Sequence, residues 1–211
     1  MSPGALVFRP RRTAVAFATL MIAFAVAALA CGPAATPTSP LYTELPIGAT
    51  AWPGGTIGHY GLHVDPSLLG RLPPTVDAYA IVEDADTEAQ AMDDQDLAKV
   101  FDRYTAARIG EIGDDNWLSL VVAHFSAATG SDAYATAYTT WVDDYATASC
   151  SQADGVASVT QETINFWFVD EAQCGGGPVV YTMSLQNGVV LSILGSGPLD
   201  LGRRLIGSLY N

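Results

Sequence analysis

From Thr13 to Ala30 the chain runs without a charge, directly after Arg9, Arg11 and Arg12 and directly before Cys31. A basic flank, an apolar centre and small residues at the end are the three parts of a secretory signal. The segment constrains the fold by subtraction: residues 1–30 form a signal helix that lies outside it. The competing reading is an uncleaved membrane span, which needs about 20 apolar residues. The small residues before Cys31 fit cleavage better.

The run closes on Ala28-Leu29-Ala30-Cys31. This resembles the lipobox of bacterial lipoproteins, a family whose lipobox cysteine is acylated and becomes the new N-terminus. The family pattern places Leu three positions before the cysteine; here Ala28 stands there, with Leu29 beside it. The resemblance implies lipidation at Cys31, by palmitate or a similar acyl chain, and a place at the extracytoplasmic face of the cell membrane. Residues 31–40, Cys31-Gly-Pro-Ala-Ala-Thr-Pro-Thr-Ser-Pro40, carry no apolar pattern to bury. Such a composition reads as an extended tether.

The folded domain is then expected over 41–211, a length suited to one core. All 22 acids follow Cys31, whereas three of the nine bases precede it, so the mature chain has six bases against 22 acids and a charge of −16. The only lysine is Lys99. A phosphate backbone requires clustered bases, and so does an anionic headgroup layer. Nucleic acid and direct electrostatic membrane binding are therefore excluded as expected partners; the membrane is reached through the lipid.

Three cysteines are present. Giving Cys31 to lipid leaves Cys150 and Cys174, and outside the cytosol such a pair is expected as a disulfide. Zinc is the competitor, but two cysteines without nearby histidines do not complete four ligands.

Several elements are legible. Asp65-Pro66 reads as a capped helical turn, stopped by Pro73-Pro74. Val76 to Val82 reads as a short strand. Thr87 to Met92 reads as a short acidic helix, and Asp94 to Arg108 as a second one, because Leu97, Val100, Phe101, Tyr104 and Ala107 recur at steps of three and four. Trp117 to Phe125 is apolar and branched throughout, as in a strand covered on both faces. Ser131 or Asp132 caps a helix to about Ser149, whose Tyr134, Tyr138, Trp141 and Tyr145 form a stripe expected to be its buried face. The C-terminal part reads as a meander: Val159 to Val169, then Val179 to Leu185 and Val189 to Leu194 joined at Asn187-Gly188, a pair suited to a tight turn. Asp200 to Tyr210 reads as a closing helix with Leu201, Leu205, Ile206 and Leu209 inward. The sum is an α+β domain, an antiparallel sheet with helices packed against it.

No residue set announces chemistry. His59 and His63 are four apart but sit among Gly54, Gly55, Gly58 and Gly61, so no helix brings them together and no metal site is expected. His124 lies within a strand and reads as a packed or surface residue. Asp84, Asp86, Glu88, Asp93, Asp94 and Asp96 lack the glycine and glutamate of an EF-hand loop; Asp94 reads as a cap and the others as a solvated helix start. No nucleophile elbow and no phosphate loop is present. No catalytic residue and no cofactor is expected. The helix ending in Cys150 and the Cys174-Gly-Gly-Gly segment are similar to small α+β extracellular domains of bacterial lipoproteins and receptor kinases. That resemblance implies a non-catalytic module that binds or senses a ligand. A structural factor that binds an envelope protein, or a hydrolase using paired carboxylates, is the alternative.

Overall fold

A computed structural model of the chain describes residues 50–52 and 55–209. The signal segment, Cys31 and the tether lie outside the described residues. The strands in chain order are β1 Thr50–Trp52, β2 Gly55–Ile57, β3 His63–Val64, β4 Thr75–Val76, β5 Tyr79–Ala80, β6 Val82–Glu83, β7 Phe101–Ile109, β8 Trp117–Phe125, β9 Val156–Ile164, β10 Trp167–Cys174, β11 Val179–Ser184 and β12 Val189–Ser196. The α-helices are α1 Ala85–Met92, α2 Gln95–Val100, α3 Asp132–Cys150 and α4 Leu201–Ser208, with a 3₁₀ helix at Pro66–Arg71.

One sheet runs in the order β1-β2-β3-β7-β8-β12-β11-β10-β9, with β6 also on β7; β4 and β5 form a separate small hairpin. The expected antiparallel sheet is thus mixed, because β3 pairs with β7 in parallel. All other strand pairs are antiparallel. Strands β9 to β12 form the C-terminal meander, which joins the rest of the sheet where β12 pairs with β8. The α+β class holds.

Both faces of the sheet are covered. On one, Leu118, Leu120 and Val122 of β8 and Val189, Leu191 and Ile193 of β12 pack against Leu201, Leu205 and Ile206 of α4. On the other, Phe101, Val121, Ala123 and Phe125 meet the stripe of α3. The alternation along β8 is what sends its side chains to both layers. Tyr138 and Trp141 lie against Phe125 and Phe101, with Trp141 edge-on to Phe101 at 4.8 Å. Their polar tips are also placed: Trp141 Nε1 donates to Ser192 Oγ (2.9 Å), the Tyr138 hydroxyl donates to Asp170 (2.9 Å), and the Tyr134 hydroxyl lies 2.7 Å from Ser184 Oγ. The stripe is the inward, half-buried face of α3, as expected of Tyr and Trp that keep a partner when covered.

Three expected elements are corrected. Val76 to Val82 is not one strand: β4 and β5 form a hairpin turned at Asp77 (φ 53°), and β6 pairs with β7 instead. The helical spacing over 94–108 breaks at Val100, and Phe101–Ile109 is a strand. Eight paired residues along β8, with side chains of β7 buried on both faces, outweigh local helix propensity. The run Val159 to Val169 is two strands, turned at Asn165-Phe166 where both residues have positive φ (46° and 73°). A phenylalanine in the left-handed region gives no turn signal, since that position favours glycine. The Asn187-Gly188 turn forms with the expected positive φ values of 60° and 74°.

Candidate functional site

A cleft with a defined polar wall lies where β11, the end of β12 and the start of α4 meet. Its volume is about 140 Å³, and its lining includes Tyr181, Ser196, Gly197, Asp200 and Gly202. Asp200 caps α4 from a left-handed conformation (φ 47°), and its Oδ1 accepts from the Arg203 amide at 3.2 Å. The Tyr181 hydroxyl donates to both Asp200 oxygens, at 3.1 and 3.2 Å. Burial, then the nearby charges of Asp200 and Glu171, push the Tyr181 phenol up, so it stays a neutral donor. Gly202 is required here: a Cβ would stand 2.8 Å from the Tyr181 ring.

Beside this wall the carboxylates of Glu162 and Glu171 share Arg203. The guanidinium makes a two-pronged pair with Glu162 at 2.6 and 2.5 Å and reaches Glu171 at 3.6 Å. Burial, then the neighbouring Glu162, raise the Glu171 carboxyl above the usual range, against the pull of Arg203. Two carboxyl groups thus share one guanidinium, and Asp200 lies near enough to Glu171 to raise its carboxyl further. The arrangement offers acceptors to a ligand that brings hydrogen-bond donors or positive charge.

A second polar line crosses the far end of the sheet. The bulge between Phe101 and Arg103 leaves Asp102 outside the ladder with β8, and Asp102 Oδ1 lies 2.6 Å from Nδ1 of His124. A bulge re-aims one side chain in this way. Asp65 caps the 3₁₀ helix through Ser67 and meets Arg103 at 3.5 Å. Burial pushes the Asp65 carboxyl up, but the two Ser67 hydrogen bonds and Arg103 outweigh it and hold it below the usual range. These contacts bind the 3₁₀ segment to β7 and β8.

The sequence-expected residues fall as follows. Cys150 and Cys174, both buried, are at disulfide distance, with Cα atoms 5.1 Å apart. They join the end of α3 to the end of β10. His59 lies in the loop between β2 and β3, and His63 lies on β3. Asp84 and Asp94 are caps of α1 and α2. Glu88 departs from the solvated start expected for it: it is buried, and Oε1 accepts from Thr105 Oγ1 (2.6 Å) and the Ala106 amide (3.0 Å). Among the described residues no group of three or more His, Cys, Asp or Glu is arranged for a metal, and no helix is long and apolar enough to cross a membrane.

Sequence reasoning missed Tyr181, Asp200, Glu171 and Arg203, which come from three elements and share no spacing. Comparison with models of known protein families, with curated proteins and with solved structures finds no match.

Proposed function

We propose that the protein is a lipid-anchored extracytoplasmic module that binds a small polar ligand, or a single polar side chain, in the cleft between β11, β12 and α4. The observation that carries this reading is the Tyr181–Asp200 pair on the wall of a cleft of about 140 Å³. A cavity of about 150 Å³ takes a benzene-sized molecule, which sets the size of the bound group at about six non-hydrogen atoms. The Asp200 carboxylate on the wall, with Glu162 and Glu171 beside it, sets its sign: a cation or a neutral donor. Lipidation at Cys31 and the oxidising compartment implied by Cys150 and Cys174 set the place of action.

Titration of the protein with methylammonium and methylguanidinium, followed by amide NMR shifts, tests the binding. Shifts are expected at Tyr181 and across 195–202, with acetate giving none. Asp200→Asn keeps the cap and tolerates the left-handed backbone, and it should weaken cation binding at least tenfold. Equal affinity in that variant, or shifts confined to another surface, would overturn the reading.

A further inference from the structure

We infer that the outer edge of β9 is an interface that pairs with β9 of a second copy of this chain. Among the described residues β9 ends the sheet, paired on one side only, with β10. An exposed edge of nine residues is a template for another strand, and natural sheets blunt such edges with lysine, proline or a bulge. Val156–Ile164 contains no lysine, arginine or proline, and its register with β10 is regular from Ser158 to Ile164, the one irregularity falling at Ala157 near the start of the strand.

Apolar groups gather beside this edge. Phe166 is 79 % exposed, Phe168 73 % and Val159 59 %, with Val156 also exposed. These four lie on one hairpin. Phe166 also sits at φ 73°, a conformation that glycine would adopt without strain. A bulky ring held there, out in solvent, costs stability in the isolated domain and is accounted for when something covers it.

The strand's own sequence and charges select a second copy as the occupant. Antiparallel pairing about Thr160 uses the regular part of the strand. It sets Ser158 against Glu162 and Val159 against Gln161, with Thr160 facing itself. No like charges oppose each other. The one charge on the strand, Glu162, is already neutralised by its two-pronged pair with Arg203. A chain of charge −16 can therefore approach itself here without adding a buried unpaired carboxylate. The two-fold arrangement closes on itself and leaves neither β9 edge free.

The inference is independent of the cleft reading and is tested by cross-linking the full chain on its membrane. In antiparallel pairs, facing Cα atoms stand about 4.5–5.5 Å apart, within disulfide range. Thr160→Cys should give a dimer on a non-reducing gel, whereas Ser158→Cys, facing Glu162, should give at least tenfold less. Adding Phe166→Gly to Thr160→Cys should cut the dimer several-fold while the melting temperature stays level or rises, which separates loss of contact from loss of fold. No dimer from Thr160→Cys, equal yields at positions 158 and 160, or an adduct with a different protein would each overturn the inference.

Discussion

Replacing Glu88 with Ala should destabilise the domain by about 2–4 kcal/mol, whereas Glu88→Gln should leave it as stable as the parent or more so at neutral pH. The contrast follows from where Glu88 sits. On the side of β7 away from β8, β3 pairs with Arg103 and Tyr104, and β6 with Ala107 and Arg108. Between them Thr105 and Ala106 have no strand beside them, and the Glu88 carboxylate fills the gap. Alanine leaves a buried amide and a buried hydroxyl without that acceptor, at about 1–3 kcal/mol each. Glutamine keeps an acceptor oxygen for both and removes the buried charge.

The pH dependence has a definite sign. Burial, with Glu83 adding to it, holds the Glu88 carboxyl above its ordinary 4.5. A carboxyl whose folded pKa is raised binds its proton more tightly in the folded state. Its contribution is therefore full below the unfolded value and is lost as pH rises through the folded one. Acidification from neutrality toward 4.5 should then stabilise the parent relative to Glu88→Gln. Urea unfolding of both proteins across that range checks it; a difference that does not change with pH would refute the buried, proton-binding state of Glu88.

Reduction of the Cys150–Cys174 pair should cost a similar amount. The two cysteines are 24 residues apart, and releasing a loop of that length gives the unfolded chain about 3 kcal/mol in the chain-entropy model. The native side of the balance changes little. Cys150 and Cys174 pack with Ala146, Ala172 and Val180, and the surrounding loops are held independently: Gly175 and Gly176 donate to the carbonyls of Gly155 and Ala153. A Cβ on Gly176 would stand 3.2 Å from Ala153. These glycines thus serve close approach as well as bending. Denaturant unfolding with and without reductant should show the midpoint falling by that margin with the slope little changed. An unchanged midpoint would mean that the pair is not bonded in solution.

What was legible in the sequence is what local chemistry decides. Ser131 caps α3, Asp65-Pro66 starts the 3₁₀ helix, and Asn187-Gly188 turns between β11 and β12, each because one or two residues suit one backbone shape. The buried run of β8 is legible from its unbroken apolar, branched composition, and the inward face of α4 from its periodicity. The misses are non-local. Phe101–Ile109 has helical spacing but is claimed by β8 through pairing that no window of sequence reports. Phe166 conceals a turn by occupying a position suited to glycine. Glu88 looks like any acidic residue in a first helical turn until the gap beside Thr105 exists to receive it. The Tyr181–Asp200 wall spans two elements brought together by the sheet, and the Asp102–His124 contact depends on a bulge.

We propose an exported, lipid-anchored and oxidised binding module, and intact mass spectrometry of the chain extracted from membranes checks all three properties at once. The expected mass lacks residues 1–30, carries diacylglyceryl and acyl groups on Cys31, and falls short of the fully reduced chain by the two hydrogens of Cys150 and Cys174. An unmodified N-terminus at any other residue, or a mass that retains both thiol hydrogens, would contradict it.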